Sequence, residues 1–80
     1  MSKVYWLINS NRLGVRRFTE NRANEDQFNK YFFIDKGKII GVLGKDPPLI
    51  QNREEFKIEK AREILKRLIA QGWRRTNIFD

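Results

Sequence analysis

In this chain only lysine, arginine, aspartate and glutamate side chains carry charge at neutral pH, because it holds no histidine, and it has no cysteine either. These absences remove serine–histidine and cysteine–histidine nucleophiles and the usual zinc ligand sets. The acids that remain do not pair for catalysis. Glu59 and Glu63 stand four residues apart among Lys60, Arg62, Lys66 and Arg67. That spacing reads as a solvated helix face with ion pairs such as Glu63–Arg67, not as an acid and a base in opposed environments. Gly41, Gly44 and Lys45 lack the spacing of a phosphate-binding loop, and Asp46 stands where serine or threonine would bind magnesium. The chain is therefore expected to be no enzyme, with no metal and no cofactor.

The cations are the stronger signal. Seventeen Lys and Arg stand against ten Asp and Glu, a net charge of +7, which favours a polyanion or an acidic protein face as partner. Seven of them gather in two groups: Arg12, Arg16 and Arg17 near the N-terminus, and Lys66, Arg67, Arg74 and Arg75 near the C-terminus. Arg16, Arg17, Lys66, Arg67, Arg74 and Arg75 are the candidate polyanion-binding residues. Part of the second group also suits the negative end of a helix dipole. Phe18 and Trp73 supply an aromatic beside each group, the combination that holds single strands by charge and stacking.

The element that positions the second group is a helix between Ile58 and Trp73. Ile58, Ala61, Ile64, Leu65, Leu68 and Ile69 recur at three- and four-residue steps, giving one apolar face. Gly72 stands where a left-handed cap is wanted, which predicts that Trp73 packs back on Leu68. The helix starts between Phe56 and Ile58. Upstream, Val4 to Ile8, Val15 to Phe18, Lys30 to Asp35 and Ile39 to Leu43 read as strands. The segment from Asn9 to Gly14 is a hairpin turn, 19–29 a polar loop, Lys36-Gly37-Lys38 a short turn, and Leu49 to Arg53 a connector after the prolines. After Trp73 the tail either frays or adds an edge strand at Ile78 and Phe79. The fold expected is α+β, one domain over 1–80: a small antiparallel sheet of about four strands with one C-terminal amphipathic helix packed on one face.

Three of these strands, at Val4 to Ile8, Tyr31 to Ile34 and Ile39 to Leu43, are apolar at nearly every position rather than alternating, so both faces of the sheet carry apolar side chains and one helix covers one of them. Either the sheet curls or the 19–29 loop folds back, or a partner covers the other face. The partner expected is another protein or a second copy of the chain, with Tyr5, Leu7, Phe32 and Ile34 as the partner-binding residues. Nucleic acid is the alternative. The five-residue apolar run near the N-terminus is too short for a signal-peptide core, and no stretch could span a bilayer, so a cytoplasmic protein without membrane contact is expected.

Trp6-Leu7-Ile8, Val15-Arg16-Arg17-Phe18, Pro47-Pro48-Leu49, Arg53, and the ending Ala61…Leu65…Leu68…Gln71-Gly72-Trp73-Arg74 resemble a family of small marine cyanobacterial proteins classed only as a domain of unknown function. That family usually carries tryptophan where Leu65 stands. The resemblance implies a cyanobacterial or cyanophage source and a cytoplasmic location, and carries over no activity.

Overall fold

A computed structural model describes residues 4–24, 29–40 and 47–77. Five strands form one antiparallel sheet: β1 (Val4–Ile8), β2 (Gly14–Glu20), β3 (Tyr31–Lys38), β4 (Leu49–Lys57) and β5 (Arg74–Thr76), in the spatial order β4-β3-β2-β1-β5. A single α-helix, α1 (Ile58–Ala70), follows β4 directly, and a short 3₁₀ turn covers Arg22–Asn24. The sheet and helix expected from the sequence are present, with one strand more than the four counted there.

The differences lie mostly where polar residues or glycine were read as connections. The turn expected at Lys36-Gly37-Lys38 is the end of β3, still paired with Gly14 on one side and Leu49 on the other. Gly37 marks a close approach instead: a Cβ there would lie 2.5 Å from the Leu49 carbonyl oxygen, at an irregularity in the β3–β4 register. The connector expected over Leu49–Arg53 is the first half of β4. This strand lies at the sheet edge, where polar and charged side chains are tolerated and protect the free edge, so it shows little apolar pattern. Ile39 and Ile40 lie beyond the end of β3, and the rest of the strand expected there falls outside the described residues. Thr19 and Glu20, read as loop, extend β2. The C-terminal edge strand forms at Arg74–Thr76, against β1; Ile78 and Phe79 lie outside the described residues.

Register assigns the faces, because side chains alternate along each strand. Tyr5, Leu7, Arg16, Phe18, Ile34, Phe32, Phe56 and Glu54 share one face; Trp6, Ile8, Val15, Arg17, Phe33, Asp35 and Arg53 share the other. The first face carries the core shared with the helix, while Trp6, Ile8 and Val15 are buried on the second. Leu7, Phe18 and Ile34 from the sheet meet Ala61 and Leu68 of α1, with Tyr5, Phe32, Phe56, Ile64, Leu65 and Trp73 packed around them. The small side chain of Ala61 lets the helix approach closely.

The helix runs diagonally. It begins where the Ile58 N–H donates to the Lys30 carbonyl at 2.9 Å, beside β3 and β4. It ends near the β1–β2 turn, where the Trp73 ring lies 3.4 Å from the position of a Gly14 Cβ. The ending is the one the sequence specified. Gly72 takes φ of 100°, its N–H donates to the Ile69 carbonyl, and the Trp73 N–H donates to Leu68, both at 3.0 Å. This Schellman turn aims the chain into β5, so one glycine sets both the helix end and the last strand. Replacing Gly72 with alanine forces a Cβ into left-handed backbone and should cost about 1–2 kcal/mol, read as a lower midpoint in urea unfolding.

Candidate polyanion-binding surface

The face without the helix is closed by charged side chains. Arg17, Asp35 and Arg53 lie side by side on β2, β3 and β4. The Arg17 Nε donates to Asp35 Oδ2 at 2.8 Å and the Arg53 Nε to Oδ1 at 2.7 Å, with a second Arg53 bond at 3.1 Å. Asp35 is the one buried charged residue among those described, at 0% exposure. Burial alone would push its carboxyl up. The hydrogen bonds from Arg53 and then Arg17, with their charges, outweigh that and hold it below the ordinary carboxylate value. The same bond to Asp35 raises the Arg53 guanidinium. Arg17 lies 5.3 Å over the Trp6 ring and Arg53 lies 4.3 Å over Phe33. Long cationic side chains thus lie across the aromatics and keep their heads hydrated.

This arrangement corrects two expectations. Arg17 serves the sheet and is not part of a free basic surface. The docking face assigned to Tyr5, Leu7, Phe32 and Ile34 is the face under the helix: Leu7 and Ile34 are buried, and Tyr5 and Phe32 are half-buried against the same core. The sequence showed two apolar faces but not which one the helix would take.

The other cations assemble differently from their order in the chain. Because α1 crosses diagonally, it leaves a corner of β2, β3 and β4 uncovered. There a groove of about 280 Å³ is lined by Arg16, Lys36 and Arg67 with Glu54, Phe56 and Gln71. Arg16 rests 4.5 Å over the Trp73 ring, and burial lowers its pKa from the ordinary arginine value. Across the helix end, a second and larger concavity of about 620 Å³ wraps the outer edge of β5. Arg12, Arg74 and Arg75 line it together with Ile8, Asn9, Ser10, Thr76 and Gly72, and no acid among the described residues lines it. Arg74 and Arg75 project to opposite faces of the strand and bracket its edge. Arg75 is steadied 4.6 Å over Tyr5. Lys66 is exposed on α1 and lines neither concavity.

Of the six residues proposed from the sequence, Arg16 and Arg67 meet in the groove, Arg74 and Arg75 meet at the edge, and Lys66 and Arg17 stand apart. Sequence reasoning passed over Lys36, placed in a turn, and Asp35 with Arg53. A lone acid within an apolar strand, Tyr31 to Asp35, was the available signal: such an acid needs cations on the neighbouring strands.

A family model matches residues 5–78, and its description is a protein of unknown function (DUF1651). No curated protein and no solved structure matches the chain.

The depressed Asp35 carboxyl stabilises the folded protein at pH values above the ordinary carboxylate pKa of 3.8, and that stability is lost as pH falls below it. Asp35→Asn removes the charge and turns one of the two acceptor oxygens into an N–H donor facing a guanidinium group. It should cost about 3 kcal/mol at neutral pH, the low end for breaking a buried pair because both arginines reach solvent. Urea midpoints measured between pH 7 and pH 3 should fall more steeply for the wild type than for the variant.

Proposed function

The chain belongs to the DUF1651 family, and from its geometry we propose that it is a non-catalytic binding domain that holds nucleic acid on basic surface at the helix groove and the β5 edge. The observation that carries this reading is the sorting of cations. Asp35 absorbs Arg17 and Arg53, yet Arg16, Lys36 and Arg67 line one concavity and Arg74 and Arg75 another, with Glu54 the one acid among the described residues that line them. Cations that the fold does not neutralise, set in concave surface, suit a chain of phosphates. Arg16 on Trp73 and Arg75 on Tyr5 add planar guanidinium groups of the kind that face phosphates and stack on bases. A cyanobacterial or cyanophage source and a cytoplasmic location rest on the resemblance in sequence alone. Among the described residues no helix is long and apolar enough to cross a membrane.

A protein partner, or a second copy of the chain, is the second reading, and its surface moves. Leu13, Ile40 and Leu49 are 62%, 56% and 45% exposed. They gather at the β1–β2-turn end of the sheet, where Ile39 bonds to Leu13 and Lys38 pairs with Leu49.

The nucleic-acid reading is tested by binding of single-stranded DNA and RNA across a salt series. Four phosphate contacts predict an affinity loss of about 50-fold between 50 and 200 mM salt, from a slope of about −0.7 per contact. Arg16→Glu with Arg67→Glu, or Arg74→Glu with Arg75→Glu, should weaken binding at least about tenfold without changing the oligomeric state. No retained complex at low salt would end this reading, and a dimer lost on Leu13→Asp would favour the second.

A further inference from the structure

We propose that the concavity at the edge of β5 is a seat for a multiply charged phosphate group: the phosphomonoester end of a nucleic-acid strand, or a free diphosphate. The proposal shares Arg74 and Arg75 with the nucleic-acid reading, and so rests on it in part, but it adds Arg12 and names the group held.

The first observation is convergence. A strand of phosphodiesters offers one charge per residue and is matched by cations set in a row. Here three arginines from two separate elements, the β1–β2 turn and β5, line one space, with no acid among the described residues that line it. Their combined charge suits a phosphomonoester, which carries about −1.5 to −2 at neutral pH, better than a single diester. The walls are also donors. Asn9, Ser10 and Thr76 line the space, and the outer edge of β5 pairs with no further strand among the described residues.

The second observation is the backbone of Arg12. Its φ is 61°, and no other non-glycine residue described lies in left-handed backbone. Glycine or asparagine would satisfy such a turn at lower cost. The turn is built to hold the position: Asn9 Oδ1 accepts from both Leu13 and Gly14 N–H at 3.0 Å, and the Arg12 N–H donates to the Asn9 carbonyl at 3.0 Å. A residue ill-suited to its turn that lines a cationic concavity is placed for a ligand.

The discriminating variant is Arg12→Asn, which keeps a residue at home in left-handed backbone and removes the cation. Calorimetry with inorganic pyrophosphate is paired with fluorescence anisotropy on single strands of about twelve nucleotides carrying a 5′-phosphate, a 3′-phosphate or neither. The wild type should bind pyrophosphate and prefer one phosphorylated end by about fivefold or more. Arg12→Asn should lose both, with an unchanged or raised Tm and an affinity for the unphosphorylated strand within about twofold of wild type. Pyrophosphate binding without binding of any strand keeps the seat, with a free diphosphate as its ligand, and removes the nucleic-acid reading. Equal affinity for all three strands with no pyrophosphate binding overturns the seat and leaves that reading standing. Unaltered pyrophosphate binding by Arg12→Asn overturns it as well.

Discussion

One buried carboxylate organises the face of the sheet opposite the helix. A five-stranded sheet with apolar residues on both sides ordinarily sits between two layers, and among the described residues there is a single α-helix. Asp35 resolves the shortage by drawing Arg17 and Arg53 down across β2, β3 and β4, so that their alkyl stems and planar heads lie on Trp6 and Phe33. The carboxylate is costly to bury alone and becomes tolerable because both oxygens are satisfied by guanidinium donors. The layer opposite the helix is therefore two side chains thick in charge and one in substance. It also ties the edge strand β4 to the middle of the sheet through side chains as well as through the backbone ladder.

The helix closes the other face by geometry rather than by charge. Its start is set by continuity with β4 and its end by Gly72, and these fix a diagonal across the sheet. A diagonal leaves corners. The groove lined by Arg16, Lys36 and Arg67 is one such corner, and the concavity lined by Arg12, Arg74 and Arg75 lies between the β1–β2 turn and β5 beyond the helix end. The candidate surface is thus a consequence of how a short helix must travel from one sheet edge to the other.

What the sequence made legible followed from strong local signals. The 3.6-residue period, the glycine cap and the return of Trp73 onto Leu68 were readable because each is decided within a few residues. The strand at Val4–Ile8 was legible from its β-branched and aromatic run. β4 was not, because the polar stretch Gln51 to Glu55 belongs to an edge strand whose pairing, not its pattern, makes it extended. Gly37 looked like a turn because close backbone approach leaves the same residue type behind. The sites were half legible: charge counts found the arginines, but which of them meet depends on register and on the helix path. Arg17 and Arg16 are neighbours in sequence and lie on opposite faces, one bound to Asp35 and the other free to line a groove.

The cations at β5 have a competing structural account. Charged residues on an edge strand discourage pairing with other chains, and Arg74 and Arg75 meet that need by themselves. Charge at the end of α1 likewise offsets the helix dipole, which accounts for Lys66 and Arg67 in part. Neither account reaches Arg12. It is on no strand and no helix, it makes no ion pair among the described residues, and its backbone conformation disfavours it. Edge protection would be served equally well by a turn with glycine at that position, and more cheaply. The strained arginine therefore separates a surface that merely repels other chains from one arranged to receive an anion.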